Sequence, residues 1–255
     1  MIARQKLGQH FLIRGSILER IARAACIDSP GIIIEIGPGR GALTEKLLER
    51  AGRVIAVELD PFLVEHLSRK FHGEPRLEIR RQDVLQSDWN EWGRAPIAGN
   101  LPYYISSPIL ERTARLRPAR AVFLLQKEVA ERVVAKPASR EYGLLTVQVG
   151  FWMDARLLFE VKPAAFHPPP KVDSAVVLLE PRREPVPVDD PDRFLEFVAR
   201  SFRHKRKTIR NNLAEVFGRE LIDNWPEAPL RAEQISIEQF AEMYRRLNAL
   251  RPQNS

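Results

Sequence analysis

A single cysteine, Cys26, occurs in 255 residues, so no internal disulfide can form and no paired Cys or Cys/His zinc spacing exists. The five histidines, at 10, 66, 72, 167 and 204, carry no metal-ligand spacing either, and no metal is assigned. Long hydrophobic runs are equally scarce. No clean apolar stretch is longer than 121–125, far short of the roughly 20 residues that span a bilayer as a helix. The opening segment MIARQKLGQHFLIRGSILER lacks the continuous apolar core and small-residue cleavage site of a secretory signal. These absences predict a soluble, cytosolic protein. Cys26 falls in the spacing Ile17, Leu18, Ile21, Ala25, which places it at a buried helix position rather than in a reactive role. There is no internal repeat, and the chain end, 252–255, is expected to fray.

What is present points to a folded chain with a charged partner. Hydrophobic residues make up 44% and charged residues 29%, unlike the apolar-poor composition of disordered chains. The length suits one large α/β unit with an appended module. Forty Lys and Arg against 33 Asp and Glu leave +7, which favours polyanions. The cations cluster. Arg200, Arg203, Lys205, Arg206, Lys207 and Arg210 lie within eleven residues that hold no acid, and Arg4, Lys6, Arg14, Arg20 and Arg23 face only Glu19. Arginine's forked donors suit phosphate recognition, so RNA or DNA is the expected partner.

Short β-branched runs at 32–36, 53–58, 77–81, 96–99, 121–126 and 146–151 read as strands. Segments 42–50, 61–71, 107–115 and 127–134 between them read as helices. Such alternation predicts a doubly wound α/β domain on a mostly parallel sheet. Apolar runs 157–161 and 175–179 flank a proline-rich turn and are expected to finish one edge as an antiparallel hairpin. Four prolines in 181–191 read as a linker. The expected domains are therefore 1–181 and 182–255, the second a small helical domain in which Phe194, Phe197, Val198 and Phe202, then Ile209, Leu213, Val216 and Phe217, then Ile237, Phe240, Met243, Tyr244 and Leu247 recur at helical spacing.

Strand 32–36 runs into Gly37-Pro38-Gly39-Arg40-Gly41-Ala42 and then a helix, an arrangement that lets backbone approach a nucleotide-like cofactor closely. The spacing fits both a dinucleotide fingerprint and the E-x-G-x-G loop of S-adenosylmethionine enzymes. Glu58, ending the next strand, would accept ribose hydroxyls in either. Asp83 after the third strand could take a hydrogen bond from an adenine amine while the Val84 N–H addresses the ring, or could be a turn residue.

Strand four ends in Asn100-Leu101-Pro102-Tyr103, which suits methylation of an exocyclic amine. The lone pair of adenine N6 is delocalised into the ring. The Asn100 amide oxygen and Leu101 carbonyl, stiffened by Pro102, would accept both N6 hydrogens and aim the nitrogen at a methyl sulfonium, with Tyr103 stacked on the base. Positioning and exclusion of water carry such a transfer without a matched general base, and the target base must be flipped or already unpaired.

With these residues in hand, the chain resembles the KsgA family of ribosomal RNA small-subunit (16S) adenine N6,N6-dimethyltransferases over nearly its whole length. The resemblance rests on GQHFL (8–12), EIGPGRGALT (35–44), VELD (57–60), QDV (82–84), NLPYYIS (100–106), LQKEVAERV (125–133), FHPPPKVDSAVV (166–177) and KRKTIRNNL (205–213). It implies a Rossmann-like class I S-adenosylmethionine-dependent methyltransferase domain with a small C-terminal helical domain. It also implies a cofactor site from His10, Leu12, Gly37, Glu58, Asp83, Val84 and Asn100, and a catalytic loop of Asn100, Leu101, Pro102 and Tyr103. Phe166, stiffened by Pro168-Pro169-Pro170, would face the flipped adenine or pack in the core. The family often carries Asn at the position of His10, a departure that is harmless if the contact there is through backbone. The implied substrate is a pair of adjacent adenosines in the hairpin loop near the 3′ end of 16S rRNA in the small (30S) subunit, with a monomeric enzyme; unstacked loop bases are what proteins read best in RNA.

Leu101, where related DNA adenine methylases have Pro, favours RNA over DNA. A 23S rRNA adenine methyltransferase shares the glycine loop, but FHPPPKVDSAVV and KRKTIRNNL speak against it. A non-catalytic rRNA-binding assembly factor would not need Glu58, Asp83 and the intact Asn100 loop. Nothing resembling a hydride-transfer site supports a nicotinamide enzyme. Arg203, Lys205, Arg206, Lys207 and Arg210, clustered on a predicted helix, are expected to grip the RNA backbone.

Overall fold

A computed structural model describes residues 10–249. Arg4, Lys6, Gly8 and Gln9 of the GQHFL motif, and the C-terminal 252–255 lie outside the described residues. Two compact units form: the chain through Glu131 together with Met153–Pro181, and Arg132–Trp152 together with the segment from Arg182 onward.

The first unit begins with β1 (Phe11–Leu12) and α1 (Gly15–Ala25), then alternates β2 (Ile32–Ile36), α2 (Ala42–Leu48), β3 (Arg53–Glu58), α3 (Pro61–Lys70), β4 (Leu77–Arg81), β5 (Ile97–Asn100), α4 (Ser106–Leu116), β6 (Ala121–Gln126) and most of α5 (Lys127–Val133), whose last two residues fall in the second unit. It closes with β7 (Met153–Val161), β8 (Phe166–His167) and β9 (Ser174–Pro181). The seven-stranded sheet runs β4-β3-β2-β5-β6-β9-β7. The first five strands are parallel, and β9 inserts antiparallel between β6 and β7. This is the Rossmann-like arrangement, with the expected hairpin at one edge. Largely apolar runs such as Ile32–Ile36, broken only by Glu35, and Ala121–Gln126 form central strands because helices cover both faces of a parallel sheet.

Chain order reverses between β2 and β5, and a crevice opens beyond the carboxyl ends of strands at such a switch. Gly99 lets the two strands approach there: a Cβ on it would stand 2.5 Å from the Ile36 carbonyl oxygen. A separate two-stranded ribbon pairs β1 with β8, Phe11 opposite His167 and Leu12 opposite Phe166.

The second unit contains α6 (Leu144–Gly150), α7 (Pro191–Ser201), α8 (Ile209–Phe217), α9 (Arg219–Asp223) and α10 (Ile237–Ala249). Its core is aromatic, with Phe194, Phe197, Phe240 and Tyr244 buried and Phe151 4.9 Å from Phe194 between ring centroids. Two expectations are corrected. Segment 146–151 is mostly helix rather than strand, and 132–152 packs with the C-terminal helices rather than with the sheet. Thr146 explains the first: its Oγ1 accepts from the Gly143 N–H at 3.1 Å and donates to the Arg132 carbonyl at 2.6 Å, pinning the first turn of a helix. Its β-branched Val147 and Val149 are buried, so packing overrides their strand propensity. Cys26 caps α1 and is buried, and burial pushes its thiol up to about 11.

Candidate active site

The crevice is a cavity of about 470 Å³ in the first unit, lined among others by His10, Leu12, Glu35, Gly37, Gly39, Arg40, Glu58, Asn100, Leu101, Pro102, Tyr103 and His167. Its floor is the glycine loop. Gly37, Gly39 and Gly41 all have positive φ, at 69°, 57° and 77°, conformations that side chains oppose. Phe11 from the β1–β8 ribbon lies over this loop, 3.1 Å from where a Gly39 Cβ would be, and Arg40 stacks 4.5 Å above the Phe11 ring.

Two carboxylates stand at the strand ends. Glu58 is buried; one oxygen accepts from the Leu59 and Asp60 N–H groups at 2.9 and 3.0 Å, the other from the Gly39 N–H at 3.2 Å. Burial raises its carboxyl above the usual range, and those three N–H groups oppose the rise. Glu35 is more enclosed, 1% exposed, and accepts from Thr44 Oγ1 at 2.6 Å. Burial pushes its carboxyl up to about 8, opposed by the Thr44 bond and Lys70 and reinforced by Glu58.

The loop after β5 lines another side of the cavity. Asn100 Nδ2 donates to the His10 carbonyl at 3.0 Å, a bond to backbone that does not depend on which side chain stands at position 10. The His10 ring instead donates from Nδ1 to the Pro168 carbonyl at 2.8 Å and lies 5.9 Å from the Tyr103 ring. Leu101 is anchored by its N–H to the Leu124 carbonyl at 3.1 Å and by a buried side chain. Tyr103 is half-buried, its hydroxyl 3.1 Å from Ser174 Oγ, and burial raises its pKa.

His10, Leu12, Gly37, Glu58, Asn100, Leu101, Pro102 and Tyr103 therefore converge. Asp83 and Val84 do not reach the cavity wall. Both Asp83 oxygens serve their own turn, accepting from the Leu85 N–H at 2.9 Å and from Gln86 Nε2 at 3.2 Å. Phe166 is 3% exposed and packs in the sheet core; the residue that lines the cavity is its neighbour His167. Side chains alternate faces along a strand, so one step exchanges core for cleft. Sequence reasoning also missed Phe11 and Arg40, whose only signal was their place inside the motifs GQHFL and EIGPGRGALT, and Glu35, which was visible as the acid opening E-x-G-x-G.

The basic segment is corrected as well. Arg203, Lys205, Arg206 and Lys207 lie in an exposed turn between α7 and α8, not on a helix. Buried Asn212 clips that turn, donating to the Ser201 and His204 carbonyls at 2.9 and 3.3 Å and accepting from the His204 N–H at 3.1 Å. Arg210 does lie on α8, ion-paired to Asp223 at 2.6 Å. Arg20 lies 3.5 Å over the Phe159 ring.

A cleft of this volume, apolar along Leu12, Ile13, Leu18 and Leu43 with few placed polar groups, has the character of a cofactor site. Left-handed glycine backbone for close approach and a carboxylate at the end of β3 fit S-adenosylmethionine. The fold and site together define a Rossmann-like methyltransferase. The chain matches the family model for ribosomal RNA adenine dimethylase over residues 2–249 and belongs to that family: it is an S-adenosylmethionine-dependent enzyme that dimethylates adenine in ribosomal RNA. It is 48% identical to a probable ribosomal RNA small subunit methyltransferase A of Methanopyrus kandleri, over 82% of this chain and 76% of that one. To ribosomal RNA small subunit methyltransferase A of Geobacter sulfurreducens it is 41% identical, over 97% and 96%. A dimethyladenosine transferase of Plasmodium falciparum superposes with a TM-score of 0.80 at 27% identity, covering 94% and 98% of the two chains. No described helix is long and apolar enough to cross a membrane.

Proposed function

We propose that the substrate is 16S rRNA in the small ribosomal subunit, and that N6 of two adjacent adenosines in its 3′-terminal hairpin loop is dimethylated by in-line transfer to a flipped base. The observation that carries this reading is the Asn100 amide, held through Nδ2 by the His10 carbonyl. That bond commits the amide's donor side to the protein and leaves Oδ1, an acceptor, for an amine hydrogen. The Leu101 carbonyl supplies the second acceptor, fixed by Pro102 at φ −59°. Two acceptors that draw on the N6 hydrogens lend the nitrogen electron density and orient it, which is electrostatic preorganisation rather than base catalysis. Tyr103, with its hydroxyl tied near Ser174 and its phenol kept neutral, offers a ring face to the base.

The bound cofactor supplies an electrophilic methyl group. Glu58 and the glycine loop would hold its ribose, and the loop 83–84, outside the cavity lining but joined to the Glu58 strand end by the Gln82 N–H to Glu58 carbonyl bond at 3.1 Å, would read its adenine where the cofactor extends past the cavity, Asp83 accepting through lone pairs its own turn leaves open. The exposed turn carrying Arg203, Lys205, Arg206 and Lys207 would contact the RNA backbone, and Arg210 would join only by leaving Asp223. The enzyme acts as a monomer in the cytoplasm.

The test incubates undermethylated small subunits with the protein and S-adenosylmethionine and analyses the nucleosides by mass spectrometry. N6,N6-dimethyladenosine at both 3′-end adenosines is expected, with Asn100→Ala reducing it at least about 100-fold. Methylation at another site would overturn the substrate assignment, and full activity of Asn100→Ala the mechanism.

A further inference from the structure

The loop that follows β4 is built around Asp83. Its carbonyl accepts from the Gln86 and Ser87 N–H groups at 2.9 and 3.0 Å and from Ser87 Oγ at 2.9 Å, and its carboxylate holds the Leu85 N–H. These bonds define a turn but do not fix that turn against the rest of the sheet. Three further carbonyls of the loop accept from one side chain on another element. Arg112 on α4 donates from one guanidinium nitrogen to the Val84 carbonyl at 3.3 Å and to the Leu85 carbonyl, and from the other to the Ser87 carbonyl at 2.8 Å. Trp89 Nε1 adds a bond to the Val84 carbonyl at 2.7 Å, and its ring lies 5.0 Å from the Arg112 guanidinium.

Helix α4 starts at Ser106, immediately after the 3₁₀ turn Tyr103–Ile105 that ends the catalytic segment; Ser106 Oγ donates to the Tyr103 carbonyl at 3.1 Å. A rigid helix thus joins the loop proposed to orient the substrate amine to the loop proposed to read the cofactor's base. Three carbonyl acceptors on one side chain need a planar fork of donors, which lysine lacks.

We propose that Arg112 is a positioning residue for recognition of the cofactor's adenine, holding 83–87 so that the Val84 N–H and the Asp83 carboxylate meet the adenine edge. The inference rests on the adenine-reading role of 83–84 given above. It makes Arg112 a determinant of base selectivity although it touches neither cofactor nor RNA.

The test compares binding of S-adenosylhomocysteine with its inosine counterpart, in which a carbonyl replaces the 6-amino group and N1 carries a proton, so that both contacts are lost. Calorimetry on the full chain would use the parent, Arg112→Lys, Trp89→Phe and Asp83→Ala. The parent should prefer adenine by tenfold or more, since a site built to pair with polar groups rejects the analogue that lacks them. Arg112→Lys should weaken the adenine ligand by about tenfold, the inosine ligand little, and so erase most of the preference. Its KM for S-adenosylmethionine should rise while kcat at saturation stays near the parent value. Trp89→Phe, which keeps Arg112, should lose part of the preference and serves if Arg112→Lys fails to fold. Equal weakening of both ligands would mark a merely structural role and overturn the proposal. So would an unchanged preference in Arg112→Lys alongside a lost one in Asp83→Ala. A preference that survives Asp83→Ala would instead overturn the adenine-reading role of the loop, and the proposal with it.

Discussion

Glu35 and Asn100 line the same cleft, yet only one of them shows its state in its surroundings. Glu35 has a folded-state pKa of about 8 against an ordinary 4.5. Between those values the folded protein keeps a proton that the unfolded chain releases, so stability falls as pH rises, by at most about 1.4 kcal/mol per pH unit from this group. Glu35→Gln keeps the neutral shape and an acceptor for Thr44 Oγ1. Thermal melts from pH 5 to 8 should therefore show the variant gaining on the parent as pH rises; Glu58, raised in the same direction, leaves a smaller slope in both. A constant difference between the two proteins would mean that Glu35 is ionised throughout. Legibility at this scale followed chemistry more than position. Asn100, Gly37 and Glu58 were readable because their motifs require those atoms. Phe166 takes the core place that was the second of its two readings, which the sequence could not choose because an aromatic beside prolines looks like a platform and the two-residue strand that turns it inward is too short to show alternation.

At the scale of elements, the parallel strands were legible from continuous β-branched runs, whereas α6 was not, because Thr146, Val147 and Val149 imitate a strand. Its helicity depends on a side-chain bond to Arg132, fourteen residues away in sequence, and on burial among aromatics that belong to the second unit. The ribbon of β1 and β8 escaped detection for a related reason. Its strands are two residues each and lie 155 positions apart (166 − 11), so no local pattern announces them. Gly99 shows what element packing demands of one residue. A methyl group there would meet the Ile36 carbonyl at 2.5 Å, and neither strand is free to move because both are paired on each side. Gly99→Ala should lower stability by about 1–3 kcal/mol and weaken cofactor binding, since Gly37 and Asn100 follow the two strands being forced apart. Gly15→Ala, where an added Cβ meets nothing within 4 Å, is the control and should be neutral or slightly stabilising. Equal melting points for the two variants would show that the switch point relaxes freely.

For the molecule as a whole, the candidate cofactor cleft and the exposed basic turn fall on different units. Every residue lining the cleft belongs to the unit that carries the sheet, and the basic turn belongs to the other. Composition revealed the cations, but not that they sit in a turn. The helical reading failed because the clip that shapes the segment is Asn212, a polar residue inside an apolar pattern, which satisfies backbone carbonyls that a helix would have bonded itself. The turn presents Arg203, Lys205, Arg206 and Lys207 together, exposed, as a flexible helix end would not. Substituting Lys205, Arg206 and Lys207 with Ala should weaken RNA binding. It should also flatten the dependence of log K on log salt by up to about 2–3, one phosphate contact per lost cation. The affinity for S-adenosylhomocysteine should remain at the parent value, because no group in the cleft is altered. Asn212→Ala separates charge from shape: it keeps every cation but releases the turn. It should reduce RNA affinity while leaving most of the salt slope in place. If the triple variant keeps the parent's salt slope, the turn does not meet the RNA backbone and the cations that do must be sought elsewhere, with Arg14, Arg20 and Arg23 at helix α1 the next set to replace.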